Sequence, residues 1–398
     1  MLFIVVCLYK QRAIMKNAVI IYHHYFDRSG SSRTIGGVQS YIYELSKVLY
    51  NLDYQVKIIQ VGSSEFCVND DYSQVLGVKL NKLEGRFISL IKRRLFNKAK
   101  SVIESNKDIV IFGSDHFSVK TDVAKTVAIQ HGIDWDLPRH FMSGISSKSS
   151  FFAKLTKNQK ARSAVHGMRK ADVKVCVDYN FPNWVRTYLT DDSVNDYQIV
   201  PNFTQTLKDH FLCDEVKSNK VEVVFSRRMF EYRGALLFAE AVEKLLNDGV
   251  EAHFTFAGTG PELNNLKDKF RNSNEVSFTK YEPNRSLEFH SQYDIAVVPS
   301  YGSEGTSLSL LEAMASGCAV IGTNIGGISN ILINDWNGLM ISPSSDQLYQ
   351  ALYLLITDQD KREVLSDNAR SVVEESFSLK KWQERWTKIL QDLADEPI

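Results

Sequence analysis

No two of the five cysteines (Cys7, Cys67, Cys176, Cys213, Cys318) are spaced as Cys-x-x-Cys, and their number is odd. Neither a disulfide framework nor a thiolate metal site is indicated, and a reducing compartment fits. Long apolar runs are missing as well. Leu2–Tyr9 is far shorter than the roughly 20 residues that span a bilayer, and its charges, Lys10 and Arg12, follow it rather than precede it, unlike a secretory signal. Met15-Lys16-Asn17, directly before an apolar strand, reads as a second start, which makes residues 1–14 an expected frayed addition. The chain has no Gly-x4-Gly-Lys-Ser/Thr loop and no His-Glu-x-x-His, so P-loop hydrolysis and zinc proteolysis lack their motifs. Internal repeats and low-complexity tracts are absent.

What is present is ordinary for a folded protein: 398 residues, 44% hydrophobic and 24% charged. That length exceeds what one hydrophobic core supports and predicts two domains. The net charge of zero conceals an asymmetry. Residues 1–200 hold 28 Lys/Arg against 18 Asp/Glu, an excess of ten cations, and residues 201–398 hold 19 against 29, the opposite excess.

Short β-branched runs alternate with helical periodicity, the pattern of β-α units around parallel sheets. Strands are expected at 18–22, 55–61, 108–112, 126–129, 173–177 and 197–200, and, after a break at Pro201-Asn202, at 221–225, 252–257, 276–279, 295–298 and 319–322. A helix after Gly36-Gly37 carries Val38, Tyr41, Ile42, Leu45, Val48, Leu49 and Leu52 on one face, and a second spans about 235–247. The fold class is therefore α/β, with two doubly wound Rossmann-like domains: 1–205, 206–378, and a last helix, 379–398, expected to return to the first. Ligands in open α/β sheets bind outside the strands' carboxyl ends, which here implies an interdomain cleft.

The most informative segment runs from Ser300 to Gly317, SYGSEGTSLSLLEAMASG, where a strand passes through a small polar loop into a helix. Amides at that helix start, from Gly305 through Thr306 and Ser307 to Leu308, offer donors and a positive dipole end to a diphosphate. Glu304 precedes the helix and Glu312 lies two turns in. Carboxylates beside a phosphate are useful as acceptors from neutral hydroxyls, such as those of a sugar or ribose. Upstream, Ser226-Arg227-Arg228-Met229-Phe230-Glu231-Tyr232-Arg233-Gly234 supplies cations where a departing diphosphate would gather charge.

Glu-x7-Glu within SEGTSLSLLEAMASG resembles the signature of glycosyltransferase family 4, a group of retaining GT-B enzymes. The resemblance implies that Glu304 contacts the donor sugar and Glu312 the ribose. It aligns Arg227 with the family's arginine and Arg233 with its lysine, with Ser226 in place of a glycine. Ala319–Thr323 with Gly326-Gly327 is similar to the family's next strand and glycine turn. Gly36-Gly37 matches a turn that in the family faces diphosphate and acceptor, and is equally an ordinary tight turn. His131, after a strand, resembles the histidine near the sugar's reacting carbon.

The implied activity is transfer of a hexose-type sugar from a nucleotide diphosphate sugar to a glycan or lipid-linked hydroxyl, retaining, without metal or other cofactor, in bacterial surface-polysaccharide assembly. A GT-B epimerase and a non-catalytic sugar-nucleotide-binding subunit are the alternatives. A pyridoxal-type phosphorylase lacks an identifiable cofactor lysine. Asp134-Trp135-Asp136 imitates the metal motif of the GT-A fold, which two α/β domains disfavour. Gly258-Thr259-Gly260-Pro261 imitates a dinucleotide loop and reads as a turn. The stretch 86–100 is basic and amphipathic, and Lys148, Lys154, Lys157, Lys160, Arg162, Arg169 and Lys170 add to the positive half. It reads as a solvated basic face or as a contact with an anionic membrane. No nucleic-acid partner is expected, and the expected location is cytoplasmic, peripheral on the inner face of the plasma membrane.

Overall fold

The computed structural model describes residues 16–138, 150–188, 196–206 and 220–395. The segment up to Met15, Lys148, and residues 207–219 directly after the expected boundary at 205/206 lie outside the described residues. By contacts the chain divides into two units: Met1–Ala128 with Lys170–Asp172 and Ile389–Ile398, and Ile129–Arg169 with Val173–Lys388. The sequence pattern places a boundary near 205, whereas the contact division groups 129–169 and 173–205 with the second half, for reasons visible in the site below.

In the first unit, β1 (Lys16–Ile21), α1 (Gly37–Asn51), β2 (Tyr54–Gly62), β3 (Phe66–Asn69), β4 (Gln74–Lys79), α2 (Ile88–Lys100), β5 (Ile109–Phe112) and β6 (Lys125–Gln130) follow one another. The strands lie in the order β3-β4-β2-β1-β5-β6. These strands pair in parallel except β3 with β4. Strands covered on both faces need near-continuous apolar runs, and β1 is buried over its last five residues. α1 buries Tyr41, Ile42, Leu45, Val48 and Leu49 of the expected stripe together with Ser46, while Val38 is half-buried and Leu52 lies just past the helix. Each fully buried large apolar side chain is worth roughly 1.5–3 kcal/mol. Lys125 Nζ donates to Leu393 O at 2.6 Å within this unit.

The second unit holds α3 (Ser150–Met168), β7 (Val173–Cys176), α4 (Asn180–Tyr188) and β8 (Tyr197–Ile199), then β9 (Val221–Ser226), α5 (Ala235–Asn247), β10 (Ala252–Ala257), α6 (Leu263–Lys269), β11 (Val276–Thr279), α7 (Ser286–His290), β12 (Ile295–Val298), α8 (Leu308–Ala315), β13 (Ala319–Thr323), β14 (Leu339–Ile341), α9 (Ser345–Thr357), α10 (Gln359–Val372) and α11 (Leu379–Asp395) as far as Lys388. Its six-stranded sheet has the order β11-β10-β9-β12-β13-β14, all parallel. The order runs outward in both directions from the β9–β12 pair, so the crossover reverses there. The loops after β9 and β12 flank the switch point where open α/β sheets place ligands. Phe225, Phe238, Phe254 and Phe256 fill the layer between the sheet, α5 and α9. On the far side of the chain's end, Trp382 and Trp386 are buried, with Trp382 packed 4.6 Å from Phe203. Among the described residues no helix is long and apolar enough to cross a membrane.

Candidate active site

The two arginines and Glu304 stand some 70 positions apart in sequence, and the β9–β12 pairing brings them together. Glu304 Oε1 accepts from Arg227 Nη2, from Arg233 Nη1 and, at 2.9 Å, from Ser300 Oγ. Ser300 Oγ in turn accepts from Arg227 Nη1 at 2.5 Å, and Arg233 Nη1 also donates to Ser303 O at 3.2 Å. All three charged side chains are largely buried, at 9%, 15% and 5% exposure for Arg227, Arg233 and Glu304. Burial alone would push the Glu304 carboxyl up, but the facing guanidiniums of Arg227 and Arg233 outweigh it and hold the group below its usual range. Two cations share one anion, so the cluster keeps one positive charge. Arg228, the other cation of this loop, is exposed and lies over the Phe230 ring.

Backbone contacts hold this cluster in place. Met229 N donates to Thr259 O at 2.8 Å and Glu262 N to Met229 O at 3.1 Å. Gly258, at φ +142°, lies so close that a Cβ there would stand 2.3 Å from Arg227 O. The Gly-Thr-Gly-Pro segment is therefore a turn that clamps the arginine loop. On the other side, the chain at Gly305 passes between His131 and Gly327. A Cβ on Gly305 would stand 2.8 Å from His131 O, and Gly327 N donates to Glu304 O at 3.0 Å. His131 thus abuts the Glu304 loop.

Thr306 donates its hydroxyl to Val177 O and accepts from Asn202 Nδ2 at 2.7 Å. Its side chain braces the loop against the ends of β7 and β8. Ser307 caps α8 without a side-chain hydrogen bond, and Leu308 is the helix's first residue. Gly36 and Gly37 lie in the first unit at the start of α1, where Gly36 is extended, a conformation open to any residue.

Glu312 is half-buried on α8, and burial pushes its carboxyl up to about 7 against an opposing hydrogen bond from Ser286. Tyr281 feels both the Glu312 carboxyl and the Arg227 guanidinium. Behind them, buried His290 shares a 2.6 Å hydrogen bond with Ser226 Oγ and donates from Nδ1 to Ser286 O at 2.7 Å. Burial pushes its imidazole down to about 4, so it is neutral at pH 7. A carboxyl whose folded pKa exceeds its unfolded 4.5 binds more protons when folded. Its stabilising share is complete below about 4.5 and is lost as pH rises toward about 7. The melting temperature is expected to fall across that window, and Glu312→Gln to flatten the fall; an unchanged pH slope in the variant removes the assignment.

Asp134, Asp136 and Asp178 have contacts here that the sequence reading did not assign. Asp136 Oδ1 accepts from Ser303 N at 2.8 Å and Asp134 pairs with Lys160 at 2.9 Å, so the two carboxylates of Asp-Trp-Asp have separate structural partners. Asp178 accepts from Asn180 N at 2.8 Å, with its other oxygen 3.4 Å from where a Gly305 Cβ would stand, and burial pushes it up to about 6. Its one local signal is an Asp just before a helix, which reads as an N-cap. Among the described residues no three His, Cys, Asp or Glu side chains are placed to share a metal ion.

Two parallel-sheet α/β units, with a cationic cluster at the second sheet's switch point, define the GT-B fold of glycosyltransferases. The sucrose-phosphate synthase of Thermosynechococcus elongatus superposes with a TM-score of 0.75 at 14% identity, covering 95% of this chain and 99% of that one. Residues 214–372 match the family described as glycosyl transferases group 1. An uncharacterized glycosyltransferase of Methanocaldococcus jannaschii is 25% identical over 240 residues, 57% of this chain and 60% of the relative. The UDP-Gal:alpha-D-GlcNAc-diphosphoundecaprenol alpha-1,3-galactosyltransferase of Escherichia coli is 22% identical over 220 residues, 54% of this chain and 56% of the relative. The chain thus spans little more than half the length of these curated relatives.

Proposed function

We propose that the chain transfers a hexose-type sugar from a nucleotide diphosphate sugar to a hydroxyl of a glycan or lipid-linked acceptor, in bacterial surface-polysaccharide assembly. The observation that carries this reading is the convergence of Arg227, Arg233 and Ser300 on one oxygen of Glu304 at the sheet's switch point. Each guanidinium has five N–H donors, more than Glu304 and Ser300 occupy, and the excess charge is positive. A departing diphosphate gathers negative charge as the glycosidic bond breaks, and preorganised cations lower that barrier without reorganising at the moment of reaction.

In this reading Arg227 and Arg233 meet the diphosphate, aided by the amides that open α8 at Ser307 and Leu308. Glu304 and His131 place the sugar, and Glu312 accepts from the ribose hydroxyls. Arginine and oriented peptides do a divalent ion's work, so neither metal nor other cofactor takes part. The acceptor attacks on the face the diphosphate leaves, which gives retention. The Escherichia coli relative is named for a UDP-sugar donor and a diphosphoundecaprenol-linked acceptor, which supports both substrate classes. A thermal-shift panel of nucleotide sugars with and without EDTA tests the proposal. One sugar nucleotide is expected to raise the melting temperature by several degrees regardless of chelation. No response to any donor overturns the donor reading, and a response abolished by EDTA overturns metal independence.

The same proposal includes peripheral attachment to the cytoplasmic face of the plasma membrane. Leu83, Phe87 and Ile88 are exposed at 61%, 53% and 52% beside the cations of α2, in the first unit. Lys92 and Lys170 lie close enough that Lys92 helps push Lys170 down, after burial. Apolar side chains among cations suit the boundary between acyl chains and anionic headgroups. Cosedimentation with anionic vesicles is expected at low salt and to fall with added salt or with Phe87→Ser/Ile88→Ser; indifference to lipid charge refutes it.

A further inference from the structure

Histidines gather in the first unit, outside the donor machinery. β1 and β5 are parallel neighbours ending at Ile21 and Phe112, and Gly113 N donates to Ile21 O at 2.9 Å. The two chains that leave these ends carry Tyr22-His23-His24 and Asp115-His116-Phe117. The His23 ring stacks on His24 at 5.0 Å and 5°, and on Phe117 at 5.6 Å and 27°, while Tyr22 meets His23 edge-on at 5.3 Å. His23 and His116 are exposed, and Tyr22 and His24 are half-buried. The arrangement is anchored, because His24 O accepts from Gln39 Nε2 of α1 at 2.7 Å and from Thr34 Oγ1 at 3.1 Å.

The charges around His23 are mostly of one sign. Burial, then His24, Arg28 and His116 in that order, hold its imidazole below the usual range. The Asp115 carboxylate in this cluster is buried, with Oδ2 3.6 Å from His116 Nδ1. Such crowding of potential cations costs stability and is repaid when an anion enters. A neutral sugar would not repay it, and among the described residues no three ligand-type side chains are placed for a metal ion. The location, outside the carboxyl ends of adjacent central strands, is where open α/β sheets bind ligands.

We propose that Tyr22, His23, His24 and His116 bind the phosphoryl group of a phosphorylated acceptor. The proposal rests on the glycosyltransferase reading for the word acceptor, and on geometry alone for the anion. Imidazolium N–H groups and the Tyr22 hydroxyl donate to phosphoryl oxygens, with Arg28 adding charge from the same loop. A bound anion opposes the lowering of the His23 imidazole. The affinity linked to its proton is complete below the free-state value and is lost as pH rises through the bound-state value, up to about tenfold per pH unit for each proton taken up.

Imidazole NMR of the full chain tests this, with the His23 and His116 signals assigned by His23→Gln and His116→Gln. Three probes are used: glucose 1-phosphate, a short isoprenyl phosphate in zwitterionic micelles, and methyl glucoside. Both phosphates are expected to move the two signals at about pH 6, with affinity at least tenfold weaker at about pH 8 and in the double Gln variant. Response to the isoprenyl phosphate alone supports a lipid phosphate; response to both supports recognition of the phosphoryl group itself. Silence toward both phosphates, an equal response to the glucoside, affinity independent of pH, or Zn²⁺ saturating the same signals more tightly than phosphate overturns the proposal. Donor binding is followed separately by thermal shift. Its absence in the wild-type chain would refute the glycosyltransferase reading while leaving the phosphate result readable, and its survival in the double variant is expected.

Discussion

Arg227→Ala and Arg233→Ala are each expected to lower kcat/KM about a hundredfold, equivalent to roughly 3 kcal/mol of lost transition-state stabilisation. Either guanidinium can be lost without stranding Glu304, because the other still donates to the same oxygen and Ser300 does so as well. The melting temperature is therefore expected to change less than the rate. Arg227→Lys separates charge from geometry. An ammonium keeps the positive charge but cannot bridge Ser300 and Glu304 with a planar fork, so an intermediate rate is expected. Turnover equal to wild type in a folded Arg227→Ala or Arg233→Ala chain would remove these residues from the reaction.

Glu304→Ala produces the opposite imbalance. Two guanidiniums at 9% and 15% exposure would face each other with no anion between them. Removing one partner of a buried ion pair costs about 3–5 kcal/mol, which a chemical denaturation curve would register as a large fall in midpoint. Glu304→Gln keeps an acceptor oxygen at the same place and is expected to lose less. A nucleoside diphosphate should then stabilise Glu304→Ala more than wild type, because its phosphates supply the missing negative charge. An unaltered midpoint in Glu304→Ala, or equal stabilisation of both proteins by the diphosphate, would contradict the view that Glu304 and a diphosphate compete for the same cations.

Local pattern carried far along this chain. The helix expected at about 235–247 is α5, Ala235–Asn247, which buries Phe238, Val242 and Leu245 in the core. β3, β4 and β14 were not anticipated. β3 is four residues of alternating exposure, Gly77 interrupts the apolar run of β4, and β14 is three residues long. Runs that short fall below what alternation can distinguish from loop. The site divided in the same way. Glu304, Glu312 and Arg227 sit in segments whose composition speaks of anion chemistry. Asp136 and Asn202 are single polar residues whose contacts to the Ser303–Thr306 loop span more than 100 positions, while Ser300 and Asp178 each combine a local partner with a distant one, Arg227 and the chain at Gly305.

By itself, then, the order of residues determined which segments become strands and helices, because burial on one face needs apolar side chains at the period of the element. It also determined where carboxylates and guanidiniums accumulate. The tertiary structure decided which of those charges meet. Parallel pairing of β9 with β12 sets Arg227, Arg233 and Glu304 on one oxygen, while contacts from Asp136, Val177 and Asn202 to the Ser303–Thr306 loop bind residues 129–205 to the second half. Strand order and side-chain direction at a sheet's edge come from long-range register, and no periodicity within a window of the chain encodes them.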